Sequence, residues 1–387
     1  MLGATLVLAV ALAAGGCQPV ARQPAAPSDL PSIVPSSSIT PGPPATETAT
    51  PATTPATTPS DPSGATPSST PTPADQVDHV LAISVDALNP DAITRLGPAG
   101  TPTLHRLIRE GATTLNARSE QELTITLPNH TGMFTGRRVS AKHGGHGVTF
   151  NVDNGTTVHR AAGAYVASVF DVVHDRGGST ALYSGKKKFA FFARSWNTAG
   201  APDRIGRDDG RRKIDTVVLD TDNARLVRAL DRRLVSAPPQ FTFLHLSLPD
   251  VAGHAHGFMG KDYLAAVRQT DRLLGQVIAT IDERPTLRRH TVVVLTADHG
   301  GLGASHDDPT KIADYRIPLV VWGSGVAAND LYRLNPGFVD PGRSRPGYAG
   351  PQPIRNGDVA NLATGLLGLP AVPGSQLDRG QSLVVGR

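Results

Sequence analysis

Thr291-Val292-Val293-Val294-Leu295-Thr296-Ala297-Asp298-His299 (TVVVLTADH) is a strand-length apolar run that ends in two ligand-type residues. It has no polar alternation, which suits a strand buried on both faces of a parallel sheet. Four other runs read the same way: 79–86 (HVLAISVD), 179–184 (STALYS), 241–248 (FTFLHLSL) and 317–322 (IPLVVW). Helical spacing lies between them. Leu264, Val267, Asp271, Leu274, Ile278 and Ile281 step by three or four, and 221–235 and 166–176 are similar. Strands alternating with helices predict an α/β layered fold, a mostly parallel sheet flanked by helices.

Three carboxylates sit at the carboxyl ends of these strands: Asp86, Asp250 and Asp298. Open α/β sheets collect ligands at that edge. A single Asp there is as readily a turn former or helix cap; three together point to a site. His254 follows Asp250 by four residues, which places both on one face of a helical turn. His299 follows Asp298, with Gly300 and Gly301 to let the backbone fold back. His306 is the only histidine after His299 and the best remaining ligand; His256 reads as a surface residue. Carboxylate plus imidazole is a donor set that zinc accepts.

A hydroxyl lies within reach of such a site in Thr124-Ile125-Thr126-Leu127-Pro128-Asn129-His130. Pro suits the first helical position, so a helix is expected to open at Pro128 and aim free N–H groups at an anion near Thr126. Thr126 is the favoured nucleophile, with Thr124 and Thr131 as alternatives.

The rest of the chain divides by composition. Residues 1–17 form a short apolar core with small residues before Cys17, as in a lipoprotein signal peptide. The core is shorter than the roughly 20 apolar residues of a membrane span. Without Lys or Arg ahead of it, a start further upstream is expected. Cys17 is the only cysteine, so an intrachain disulfide is excluded and metal sites must use nitrogen and oxygen ligands. Residues 18–76 hold 15 of the 33 prolines and no aromatic residue, the composition of a disordered, semi-rigid linker. One Arg and four Asp/Glu fall in 1–76, leaving a net charge of +7 on the expected catalytic domain, 77–387, which holds all 13 histidines. The excess favours small anionic substrates; no basic stripe with interleaved aromatics suggests nucleic-acid binding.

Asp86, Thr126-x-Pro128-Asn129-His130, Asp250-x-x-Gly253-His254 and Asp298-His299-Gly300, in that order, resemble the alkaline phosphatase superfamily, and within it the type I phosphodiesterase/nucleotide pyrophosphatase family. The resemblance covers essentially all of 77–387. It implies a phosphoric ester hydrolase with two divalent metal ions, zinc by family habit. Asp86, Asp298 and His299 would hold one ion together with Thr126. Asp250, His254 and, by assignment, His306 would hold the other. Asn129 would hydrogen-bond a non-bridging substrate oxygen. Two departures stand out. Leu127 occupies a position where nucleotide-hydrolysing members usually carry an aromatic residue, and the family's last histidine usually lies far downstream of Asp-His-Gly.

The expected substrate is a small phosphate diester or pyrophosphate. Its hydrolysis would pass through a phospho-Thr126 intermediate, outside the cytoplasm, at the cell surface or on the periplasmic side, in a lipoprotein anchored to the membrane. Alternatives are a phosphate monoesterase, phosphonate or sulfate ester hydrolase on the same fold, or a non-catalytic surface protein. The superfamily's sulfatases use a modified Cys or Ser, which a lone Cys17 does not supply. Lys186 and Lys188 are candidate substrate contacts. Phe189, Phe191, Phe192 and Trp196 are expected to pack in the interior, with a leaving-group pocket as the other reading. His143 and His146 are read as turn residues.

Overall fold

A computed structural model describes residues 76–198 and 211–386. The signal segment with Cys17 and the linker as far as residue 75 lie outside the described residues. Eight strands form one sheet: β1 His79–Val85, β2 Ala112–Arg118, β3 Thr180–Ser184, β4 Thr216–Leu219, β5 Phe241–Leu246, β6 Thr291–Thr296, β7 Arg316–Gly323 and β8 Asn329–Asp330. Their order is β4-β3-β5-β1-β6-β7-β2-β8. All neighbours run parallel except β7, which is antiparallel to β6 and β2. Pro318 lies in β7 where the pairing with β2 shifts register, between Leu319↔Thr114 and Ile317↔Ala117. A residue that cannot donate to the ladder is tolerated at such an irregularity.

The five expected strands are present. The run 241–248 is strand only to Leu246, because Leu248 and Pro249 open the next helix. β1, β5 and β6 are central, and every residue of β5 and β6 is buried. In this register Ser84 pairs with both His245 and Thr296. The three strands therefore end level, and the residues that follow them emerge on one edge. Two sets of helices cover the sheet. Pro102–Glu110 and Asn223–Ser236 both pack on Lys261–Asp282, and Thr126–Thr135, Val169–His174 and Val359–Leu366 pack on one another. Asp271, the polar break in the apolar stripe, is buried. It accepts from the Leu104 and Thr103 amides at 2.8 and 3.1 Å, capping the neighbouring helix.

Phe189, Phe191, Phe192 and Trp196 are all buried. They join Phe134, Phe170 and Phe243 in an aromatic core. Among the described residues, no helix is long and apolar enough to cross a membrane.

Candidate active site

The sheet edge gathers the expected ligands into two groups, Asp86/Asp298/His299 and Asp250/His254/His306, each with ligand atoms within 4.8 Å of one another. Asp86 leaves β1 and Asp298 leaves β6. Asp250 and His254 share one face of the helix Leu248–His256, with His254 Nε2 3.3 Å from Asp250 Oδ1. His306 comes in on the loop after β6; its Nε2 lies 3.1 Å from His254 Nε2 and 3.7 Å from Asp250 Oδ1. The His299 and His306 rings stack at 3.7 Å, so the two groups adjoin.

Asp86 Oδ1, Asp250 Oδ1, Asp298 Oδ2 and His299 Nε2 are buried without a hydrogen-bond partner. Leaving one such group unsatisfied costs about 1–3 kcal/mol, and more when it is charged. Four orphaned donor atoms at one spot fit a site for divalent cations, whose charge and coordination would satisfy them.

Lys186 stands between the groups. Its Nζ lies 2.6 Å from both Asp86 Oδ2 and Asp250 Oδ2, and 3.5 Å from Thr126 Oγ1. Burial opposes its charge, but Asp86 and Asp250 outweigh burial and raise its pKa. Burial likewise opposes ionisation of Asp86, yet Lys186 and a hydrogen bond from His245 hold its carboxyl well below the usual range. Asp298 is pushed well up, first by burial and then by the Asp86 charge. Burial, reinforced by His306, lowers His299 to about 3, which keeps the imidazole neutral as a metal ligand must be.

The helix carrying Thr126 opens two residues earlier than expected, at Thr126 itself. The anticipated cradle of free amides is largely used up. The Leu127 amide donates to Asn151 Oδ1 at 3.0 Å, Pro128 has none, and the Asn129 amide donates to Ile125 O at 3.3 Å. The three hydroxyls separate clearly. Thr124 Oγ1 donates to His306 O at 2.6 Å and Thr131 Oγ1 to Leu127 O at 2.7 Å. Both are engaged with backbone, whereas Thr126 Oγ1 faces Lys186.

Asn129 departs from its expected place. Its Nδ2 donates to Leu123 O and Ile125 O at 2.8 and 3.0 Å. Its Oδ1 accepts from the Glu120 amide and Asn356 Nδ2 at 2.8 and 3.1 Å. Both amide protons are used inside the protein, so Asn129 braces the loop before Thr126. The amide at the helix opening belongs to Asn151, whose Oδ1 also accepts from Lys188 Nζ at 2.9 Å. Lys188 therefore reaches the site through Asn151, and burial lowers its pKa to about 8. The sequence reading also missed His245: its Nε2 is 2.8 Å from Asp86 Oδ2 and its Nδ1 3.2 Å from Ser184 Oγ, an outer partner that orients a ligand. His130 is buried scaffold, bonded to Thr126 O and Ser84 Oγ. His143 and His256 are exposed, and neither these nor His146 joins a ligand group. A cavity of about 690 Å³, lined by Leu362, Leu366 and Gln381 among others, includes no member of the two groups.

A family description, type I phosphodiesterase / nucleotide pyrophosphatase, matches residues 80–339 and so spans both groups and Thr126. The chain belongs to this family. Over 105 residues it is 37% identical to GPI ethanolamine phosphate transferase 1 of Gibberella zeae, a match covering 26% of this chain and 10% of that protein. The Aspergillus fumigatus protein of the same name is 41% identical over 90 residues, 22% of this chain and 8% of that one. The chain thus spans about a tenth of the length of the curated relatives it matches. Murine ectonucleotide pyrophosphatase / phosphodiesterase 5 has the same fold: TM-score 0.52 at 13% identity, covering 76% of this chain and 96% of that one. For this type I phosphodiesterase family member, the mixed eight-stranded sheet is thus a fold shared with the murine protein.

Proposed function

We propose that this chain is a metal-dependent hydrolase of phosphate diesters or pyrophosphates that works through a phosphoryl group carried on Thr126. The observation that carries the reading is the placement of a threonine hydroxyl, bonded to Lys186 and not to backbone, beside two groups of carboxylate and imidazole ligands at a single sheet edge.

Asp86, Asp298 and His299 would hold one divalent ion with Thr126, and Asp250, His254 and His306 the other; zinc suits these donors. Bound there, two ions supply the positive charge that activates a threonine hydroxyl and offsets charge on a leaving oxygen. The chain's own groups do the rest. Thr126 Oγ is held at the start of a buried helix and attacks phosphorus. Its proton passes to solvent as the bond to the leaving oxygen breaks; the leaving group departs with the bonding pair and takes a proton from water, and a phospho-threonine forms. Lys186, whose Nζ lies 3.5 Å from Thr126 Oγ1, offsets negative charge on the phosphoryl oxygens. Asn151, fixed by the Leu127 amide and Lys188, takes the amide role first given to Asn129. His254, 52% exposed, marks the side from which water reaches the phospho-threonine.

Thr126→Ala tests this. Hydrolysis of bis-p-nitrophenyl phosphate should fall at least about a thousandfold, as losses of covalent nucleophiles do, with zinc content unchanged. Retained turnover excludes Thr126. The likeness to the ethanolamine phosphate transferases favours a second reading, in which an acceptor hydroxyl replaces water on the same threonine adduct. Product release that depends on an added alcohol would select it. Phosphate monoesters, phosphonates and sulfate esters remain alternative substrates for the same groups.

We also propose that the domain works outside the cytoplasm, at the cell surface or on the periplasmic side, on a lipid attached to Cys17 and a Pro/Thr-rich spacer over 18–76. The apolar run and the linker composition support this. The protein should partition into detergent phase, and Cys17→Ser should move it to the aqueous phase; no shift contradicts the anchor.

A further inference from the structure

The Asp250, His254 and His306 group is assembled from two separate segments, and one ring joins them. Phe258 is 3% exposed and lies just past the helix Leu248–His256. Its N–H donates to Gly303 O at 2.7 Å, and its carbonyl accepts from the Gly303 N–H at 3.2 Å. This pair ties the segment carrying Asp250 and His254 to the loop carrying His299 and His306. The ring then meets both imidazoles of the group. Its centroid lies 5.3 Å from that of His254 at an interplanar angle of 78°, and 5.5 Å from that of His306 at 83°.

Glycines fix where the ring can sit. A Cβ at Gly253, the residue before His254, would lie 2.2 Å from Phe258 Cε1. One at Gly301, two residues after His299, would lie 2.6 Å from Cδ1. Only hydrogen fits at either contact, so backbone from both ligand-bearing segments closes on the ring. Such edge-to-face contacts are directional and disfavour rotation of the partner ring. His254 needs that restraint most. Its side chain is half exposed, and among the described residues its polar and ring contacts are with Phe258 and the group's own members, Asp250 and His306.

We propose that Phe258 is the positioning residue of this group, presenting His254 and His306 at the angles at which they share one cation. The proposal rests on the metal-dependent reading above. Groups that orient metal ligands typically carry about tenfold to a hundredfold in metal affinity. The effect should fall mainly on this group, because among the described residues Phe258 meets the rings of His254 and His306 and not that of His299.

Calorimetric zinc titration of the metal-stripped full-length protein tests it. Wild type should show two binding classes, and His306→Ala identifies which one is the Asp250 group. Phe258→Leu stays apolar but has no flat ring. It should weaken that class about tenfold to a hundredfold, leave the other class unchanged, and recover hydrolysis when zinc is in excess. Phe258→Met, unbranched and of similar volume, gives the same readout should the Leu variant not fold. Two unchanged classes in either variant overturn the proposal. So does equal weakening of both, since Phe258 would then serve the scaffold at large. A wild-type protein that binds fewer than two equivalents of zinc overturns the metal reading itself, and that result appears before any variant is made.

Discussion

Two asparagines show how much a single side chain's partners decide. Asn129 follows the Thr-x-Pro pattern and was expected to face substrate, yet its amide is saturated by Leu123, Ile125, Glu120 and Asn356. Asn151 stands alone in a loop 25 residues after Thr126, with nothing in its spacing to mark it, yet it meets the Leu127 amide. Their substitutions should part accordingly. Asn129→Ala leaves buried donors and acceptors unpaired and should cost about 1–3 kcal/mol of stability, seen in denaturant unfolding. Asn151→Ala, which frees the Leu127 amide and Lys188, should cost no more stability than that and lower kcat/KM roughly tenfold to a thousandfold, the scale of one lost oxyanion donor. The reverse pattern would restore Asn129 to the substrate. His245 was illegible for a related reason: a histidine inside an apolar strand reads as core until the neighbouring strand brings Asp86 to it.

At the level of elements, the helix Thr126–Thr135 and the loop before it depend on Glu120. That carboxyl is buried against Gly132 and Gly357, where a Cβ would lie 2.3 and 2.9 Å from Oε1. Burial, opposed by a hydrogen bond from the Tyr348 hydroxyl, raises its pKa from 4.5 to about 8. Between these values the folded protein holds a proton that the unfolded chain has released. Stability therefore falls as pH rises through that window, by at most about 1.4 kcal/mol per pH unit from this group. Glu120→Gln removes the titration, so wild type should lose more stability than the variant between pH 5 and pH 8. Equal losses would show that Glu120 is ionised throughout. The strands were legible wherever burial on both faces kept them apolar, as in β1, β5 and β6. β2 was not, because ATTLNAR is half polar and its pairing with β7 shifts register. β4 is half-buried beside β3 at the sheet margin, and β8 is two residues long, too short to carry a period.

Across the whole molecule, one sheet edge collects residues from 86 to 306, and the level ends of β1, β5 and β6 are what bring Asp86, Asp250 and Asp298 together. Their convergence was legible because each acid follows an apolar run. The place of Lys186 between two of them was not, because a lysine triplet reads equally well as a solvated turn. The proposed mechanism has a chemical consequence that holds for diester and pyrophosphate alike: turnover passes through a covalent state. Rapid acid quenching of the metal-loaded protein during turnover of bis-p-nitrophenyl phosphate, followed by peptide mass spectrometry, detects that state directly. One phosphoryl group is expected on Thr126. A peptide that stays unmodified, or a phosphoryl group on Thr124 or Thr131, contradicts a Thr126 nucleophile.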